Sequence, residues 1–377
     1  MTFRLPPYPY DRLDGLAKLA AAHPGGMVDC SVGTPCDPPL PAVVEALASS
    51  GSERGYPASA GSPALREAAA AWLVRRFGLA DVPATSVAAC VGTKELVASV
   101  PHVLQLRTPA KDTVLYPAVS YPTYAMGAAL AGCRAVAVPP PRGRLGGLDL
   151  NAVDPDDAAR ALLVWSNSPS NPTGGLGDLA VEAAWGRTHG VPVFSDECYA
   201  EFTWDGAPRS VLEHGPDGVV AVHSLSKRSN LAGVRVGFYA GDAELVEFMR
   251  AVRQHAGLMV PGPAQAAGAA ALADDAHVEV QRARYRERLA YLAGVLGAYG
   301  CPVALPEGGF YLWVPVPEGR WPDAWAMAEA LATDGGLLVS PGDLYGEGRA
   351  DHVRVAVVQP MELLALVGER LEASGPR

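Results

Sequence analysis

Between residues 87 and 240 the chain passes through seven short apolar segments rich in β-branched residues, at 87–91, 113–116, 134–138, 161–165, 191–195, 219–223 and 234–240. Helix-like stretches separate several of them, for example 94–106 and 179–189. The segments do not alternate apolar with polar, so each is built to be buried on both faces. That pattern predicts a mainly parallel sheet covered by helices on two sides, an α/β architecture. Upstream, Ser62 and Pro63 supply a cap and a first turn for a helix over 65–77, which Gly78 stops. Beyond about residue 265 the pattern changes to a long charged helix (278–299), strands in GGFYLWVPV and at 352–358, and a closing helix at 361–373. The expected organisation is a proline-rich arm that is also part of a small domain (1–40), a large domain (41–265) and a smaller α+β domain (266–377).

With 377 residues, 49 % of them hydrophobic, the chain has ample material for a large core. Disordered and collagen-like chains are excluded, and a second domain is expected from size alone. Lys and Arg number 30 against 40 Asp and Glu, a net charge of −10, which argues against a partner bound through a nucleic-acid backbone. The cysteines at 30, 36, 90, 133, 198 and 301 form no C-x-x-C, and the eight histidines include no H-E-x-x-H, so no metal site is expected. No apolar run reaches membrane-span length, and MTFRLPPYPYDRL lacks the apolar stretch of a signal peptide. A cytoplasmic protein with reduced cysteines is expected, with no membrane partner.

In an open α/β sheet, ligands sit beyond the carboxyl ends of the strands. After the first run come Gly92, Thr93 and Lys94, a glycine turn into a helix start that suits a phosphate, although such turns also occur with no ligand. After the fourth comes Ser166-Asn167-Ser168-Pro169-Ser170-Asn171-Pro172-Thr173-Gly174, either a plain loop or one that presents Asn171 to a ligand. After the fifth comes Asp196-Glu197-Cys198-Tyr199. A strand-end acid is a helix cap, a structural ion pair or a partner for a protonated ligand nitrogen. After the sixth comes Ser224-Leu225-Ser226-Lys227, with Arg235 eight residues on. This lysine is a surface charge or, beside other cations and partly desolvated, an amine with a lowered pKa suited to a Schiff base. The same four residues are formally S-x-x-K, a serine-hydrolase motif, but no K-T-G or G-x-S-x-G accompanies them.

Taken in order, Asn171-Pro172-Thr173-Gly174, Asp196 to Tyr199, Ser224 to Lys227 and Arg235 resemble the signature of the class I/II aminotransferases. These are fold type I enzymes dependent on pyridoxal 5′-phosphate (PLP). The stretch from Tyr56 to Arg66 is similar to that family's Y-x-x-x-x-G-x-x-x-L-R, and Arg354 stands where its C-terminal arginine is expected. The resemblance implies that Lys227 binds PLP as an imine and moves the proton at substrate Cα. It implies that Asp196 pairs with the pyridine nitrogen, and that Tyr199 with Asn171 bonds the ring oxygen. The phosphate falls to the backbone of Gly92, Thr93 and Lys94, to Ser224, Ser226 and Arg235, and to Tyr56 of a neighbouring subunit, hence a homodimer. Arg354 and Gly33, with Asn171, would hold the substrate α-carboxylate. Tyr121 is the expected ring-stacking residue, and Tyr124 is expected in the core.

The motif set fixes the chemistry more firmly than the substrate. His223 to Gly233, with Gly92-Thr93-Lys94-Glu95-Leu96-Val97 and Ser120-Tyr121-Pro122-Thr123-Tyr124, resembles the actinobacterial type of N-succinyldiaminopimelate aminotransferase. This implies glutamate as donor and N-succinyl-2-amino-6-oxopimelate as acceptor, in diaminopimelate and lysine biosynthesis. An aspartate- or aromatic-type aminotransferase and a PLP carbon–sulfur β-lyase are the alternatives within the same cofactor class. Arg4, Arg12 and Arg253 are candidate cations for the distal carboxylates.

Overall fold

A computed structural model describes residues 5–52 and 54–375. The described chain divides into two units, one of residues 37–283 with 307–309, the other of residues 5–36, 284–306 and 310–375. The first unit holds a seven-stranded sheet: β1 (Val87–Cys90), β2 (Thr113–Pro117), β3 (Arg134–Val138), β4 (Ala161–Asn167), β5 (Val193–Asp196), β6 (Val219–Ser224) and β7 (Gly237–Gly241). Their spatial order is β1-β7-β6-β5-β4-β2-β3. Among these described strands only β7 runs against its neighbours, pairing antiparallel with both β1 and β6. All seven apolar segments of the sequence are strands, which makes this an α/β unit with a mostly parallel sheet.

The absence of alternation has the expected cause. Along β4, Val164 packs into the core on one side of the sheet while Leu163 and Trp165 pack into the core on the other. In β6, Val219 and Ala221 are on the first side and Val220 and Val222 on the second. The exception is β3, an edge strand, most of which is exposed or half-buried.

Helix ends follow the sequence signals. In α1 (Pro63–Phe77) the Ser62 hydroxyl accepts from the Leu65 N–H at 3.2 Å, and Gly78 closes the helix at φ +66°. Next, α2 (Thr93–Arg107) follows β1, and α3 (Leu179–His189) lies between β4 and β5. The helix α4 (Gly262–Ala273) packs on α1 and on a helix at Pro41–Ala48. It therefore belongs to the sheet unit, and the division falls at 283/284, inside α5 (Ala276–Ala298), not at 265/266.

The second unit contains a three-stranded antiparallel sheet, with the strand His352–Ala356 between Ser340–Pro341 and Tyr311–Pro315. A short helix in the arm, Asp14–Ala22, packs on the helix Ala324–Gly335. The proline-rich composition around it conceals this helix in the sequence. Among the described residues no helix is long and apolar enough to cross a membrane.

One buried charge stands out in the sheet unit. Glu182, on α3, is only 1 % exposed, and burial raises its carboxyl from 4.5 to about 7. Ser166 and the Leu148 backbone offset only part of that cost. An acid whose folded pKa is raised stabilises the fold while protonated, and that contribution is lost as pH rises from about 4.5 to about 7. The loss is on the order of 3 kcal/mol. Glu182→Gln should remove this component, so that urea midpoints of the variant fall less than wild type between pH about 5 and about 8. An equal fall in both proteins would show that Glu182 is not the group responsible.

Candidate active site

The strand-end motifs converge because β4, β5 and β6 are parallel neighbours. Asn167, the last residue of β4, lies in register with Asp196, the last of β5, and Asp196 with Val222 near the end of β6. On the antiparallel side, Ser224 aligns with Gly237, and Gly237 with Cys90. Gly92 and Thr93, Ser224 and Ser226, Lys227 and Arg235 thus come to the same end of the sheet.

Asp196 is the most constrained of these groups. It is 7 % exposed, and Tyr124 donates its hydroxyl to Oδ2 at 2.8 Å. The Cys198 backbone N–H reaches Oδ1 at 3.2 Å. Burial raises the Asp196 pKa above the ordinary carboxylate value, and the bonds from Cys198 and Tyr124 pull it back. Both donors are neutral, so they stabilise the carboxylate without cancelling its charge. Tyr124 is fully buried, as expected of a core residue, and is also the direct partner of the acid. Tyr121, half-buried, stands edge-on to Tyr124 with ring centres 6.2 Å apart.

The loop after β4 is held by a residue that motif reading passed over. Asn167 donates from Nδ2 to the Asp196 carbonyl at 2.9 Å, and its Oδ1 accepts from the Asn171 N–H at 2.8 Å. It joins the Asn171 loop to the Asp196 strand. The available signal was an amide side chain at the end of a strand with no outward face. Asn171 and Tyr199 are both buried.

Arg235 and the start of α2 form a cradle. Gly92 has φ +72° and precedes the helix directly. The positive φ favours glycine, and a Cβ at this position would push the Arg235 guanidinium aside. Arg235 itself adopts φ +60° and donates to the Ala232 carbonyl at 2.8 Å. Thr93 is half-buried and Lys94 exposed, which suits a role for the Lys94 backbone. Ser224 caps the one-turn helix α6 (Leu225–Arg228) by accepting from the Ser226 N–H at 3.1 Å, and Lys227 is the third residue of that turn.

Gly33 and Arg354 lie in the other unit. Arg354 is 1 % exposed, and its guanidinium sits over the rings of Tyr311 and Tyr345 at 4.5 and 4.6 Å. Its Nη2 donates to the Ser31 carbonyl. A Cβ on Gly33 would strike the Tyr311 hydroxyl, so the two expected carboxylate-binding positions share Tyr311 as a neighbour. Tyr56 is 98 % exposed on its own chain.

Two of the candidate distal cations are engaged elsewhere. Arg253 is buried in a two-pronged pair with Glu95, at 2.8 and 2.6 Å. Arg12 bonds Asp343 at 2.8 Å and lies over the Trp325 ring. Arg4 lies outside the described residues.

Residues 26–369 match the family described as aminotransferase class I and II. The chain is 45 % identical over 375 residues to a probable aminotransferase of Mycobacterium tuberculosis, covering 97 % of this chain and 85 % of that one. It is 44 % identical to the 4-dedimethylamino-4-oxo-anhydrotetracycline transaminase of Streptomyces rimosus, covering 97 % and 99 %. Among solved structures, a probable N-succinyldiaminopimelate aminotransferase from Thermus thermophilus superposes with a TM-score of 0.85 at 30 % identity, covering 97 % of this chain and all of that one. The chain belongs to the class I and II aminotransferases, PLP-dependent enzymes of fold type I that act on amino and oxo acids.

Proposed function

We propose that the chain is a cytoplasmic, homodimeric aminotransferase that takes its amino group from glutamate. Its acceptor is N-succinyl-2-amino-6-oxopimelate, which places it in diaminopimelate and lysine biosynthesis. The observation that carries the reaction class is Asp196, a buried strand-end carboxylate held by neutral donors beside the turn that bears Lys227. The substrate reading is supported by the Thermus relative named for that reaction.

The residues fit PLP. The closeness of the Gly92 backbone to the Arg235 guanidinium at a helix start is a cradle for a phosphate. Ser224 and Ser226 add hydroxyls at the adjacent strand end. The buried Asp196 carboxylate suits a protonated ring nitrogen, whose charge neutral donors leave uncancelled. When bound, PLP supplies an aldehyde carbon that takes up the amino nitrogen and a ring that accepts the electron pair left at substrate Cα.

The chain's own groups do the rest. Lys227 would tether the cofactor through Nζ and carry the proton from substrate Cα. Tyr199 and Asn171 would hold the ring oxygen, and Tyr121 would lie against the ring. Arg354 binds the substrate α-carboxylate as a fork, with Gly33 leaving room for it, and fixes the direction of the Cα–H bond. Its placement over Tyr311 and Tyr345 holds the guanidinium in one orientation before substrate arrives. The exposure of Tyr56 supports a role on the phosphate of the neighbouring subunit, and hence the dimer.

A second reading rests on the Streptomyces relative, whose identity to this chain extends over nearly its whole length. In that reading the donor half is unchanged and the acceptor is a polycyclic ketone. A panel of oxo acids and ketones with glutamate as donor, followed as 2-oxoglutarate release, separates the two. Highest kcat/KM on the succinylated oxopimelate is expected; a preference for the anhydrotetracycline ketone would replace the first reading with the second.

Borohydride reduction and peptide mapping should place a pyridoxyl group on Lys227, and Lys227→Ala should lower turnover by about 10²–10⁴-fold or more. A label on another lysine would overturn the assignment. Tyr124→Phe removes a hydrogen bond to a charged group, a loss of about 1.5–3 kcal/mol, and lets the Asp196 pKa rise further. PLP binding to this variant should be about 10–100-fold weaker than to wild type; unchanged affinity would remove Asp196 from the ring nitrogen. Mixing Tyr56→Phe with Lys227→Ala protomers should give hybrids with one site intact in both respects, regaining activity that neither parent has in full. No recovery on mixing would place Tyr56 outside the shared site.

A further inference from the structure

The residues after Lys227 differ in kind from the site residues before it. Arg228 is 3 % exposed and points into the protein. Its Nε donates to Glu201 Oε1 at 3.2 Å. Its Nη1 donates to the Ala271 carbonyl at 2.7 Å and to Ser229 Oγ at 3.1 Å. Its Nη2 donates to the Asp274 carbonyl and to Asp275 Oδ1, both at 3.1 Å. The Trp72 ring lies 5.3 Å from the guanidinium carbon. One side chain thus joins α6 to the end of α4 and to the segment that follows β5.

Glu201 is the informative partner. It lies two residues after Tyr199, in the one-turn 3-10 helix Ala200–Phe202. Its Oε2 accepts two bonds from Arg76, at 3.0 and 2.8 Å, and its Oε1 accepts from Trp72 Nε1 at 2.9 Å. Arg76 thus already gives Glu201 one positive partner, which it shares with Glu279 at 2.9 Å. What Arg228 adds is a direct link between the turn bearing Lys227 and the turn bearing Tyr199.

The turn needs such a link. Four residues make too short a helix to hold itself, since a single turn fixes more backbone than it gains in hydrogen bonds. A buried ion pair is poor evidence of stability, and its best-attested use is to fix one arrangement among several. We propose that Arg228 and Glu201 are positioning residues, which set the height and direction of Lys227 relative to Tyr199 and Asp196 and thereby govern proton movement by the lysine. The proposal rests on the reading of Lys227 as the cofactor-bearing amine. A displacement of about 1 Å at such a group lowers turnover about 10²-fold.

The test compares purified Arg228→Lys, Arg228→Met and Glu201→Gln proteins with wild type, each reconstituted with PLP. Folded variants are expected to show kcat down at least tenfold with glutamate KM within about twofold of wild type. The pH midpoint of the bound cofactor's absorbance should shift, a signature that a loss of stability alone does not produce. Arg228→Lys should recover little, because an ammonium cannot reach all these acceptors at once. The double variant Arg228→Met with Glu201→Gln should be no slower than the slower single variant, because both break one link. Wild-type kcat and absorbance midpoint in the folded variants would overturn the proposal, as would failure of all of them to fold, since the pair would then be only a stability element. Borohydride labelling of the same samples separates the two levels. A label off Lys227 ends the underlying reading, whereas a label on Lys227 with unchanged kinetics ends only this one.

Discussion

The constraint on which the site depends is the cost of burying the Asp196 carboxylate at the end of a covered parallel strand. A charge in that position is strongly disfavoured unless something stabilises it. Tyr124 and the Cys198 N–H do so in part, and both are neutral. The fold thereby keeps an acid with its charge uncancelled at a strand end, as the proposed pairing with a protonated ring nitrogen requires. A lysine or arginine in the Tyr124 position would satisfy the acid more completely and spoil it for that use. The stability given up at Asp196 is of a kind the large two-sided core can absorb.

The same economy is seen in the backbone. Gly92 and Arg235 both take positive φ, and each makes room for the other: a side chain on Gly92 would occupy the place of the guanidinium. Positive φ at a non-glycine residue is unfavourable in isolation, and at Arg235 it accompanies the bond from its own guanidinium to the Ala232 carbonyl. In the other unit, Arg354 is held between two tyrosine faces with Gly33 alongside. In both places backbone or aromatic groups orient the cation: the Ala232 carbonyl for Arg235, and the Ser31 carbonyl with the Tyr311 and Tyr345 rings for Arg354. Arg253, buried against Glu95, is part of the scaffold, and Arg12 pairs with Asp343 at the surface.

Much of this was legible in the sequence because burial on two faces leaves an unmistakable trace. The seven apolar segments are all strands, and the strand ends supply Gly92, Asn171, Asp196, Lys227 and Arg235. Other features were hidden for physical reasons. The arm helix Asp14–Ala22 is surrounded by prolines that dominate the local composition. The helix Gly262–Ala273 is almost uniformly small and apolar, so nothing in its pattern shows that it packs on the sheet unit's helices. Tyr124 reads as an ordinary core aromatic, since only three dimensions bring its hydroxyl to an acid 72 residues away. Asn167 is masked by the richer motif that follows it.

The wording that suggests a succinylated acceptor has a different meaning once its contacts are known. Arg228 bonds Glu201 and Asp275, Ser229 lies 3.0 Å from His277 Nε2, and Asn230, at φ +56°, donates to Gln281 at 3.1 Å. All three fasten the lysine-bearing turn to the sheet unit's own helices. The residues from 228 to 230 therefore anchor the lysine-bearing turn, a role that carries no information about the acceptor.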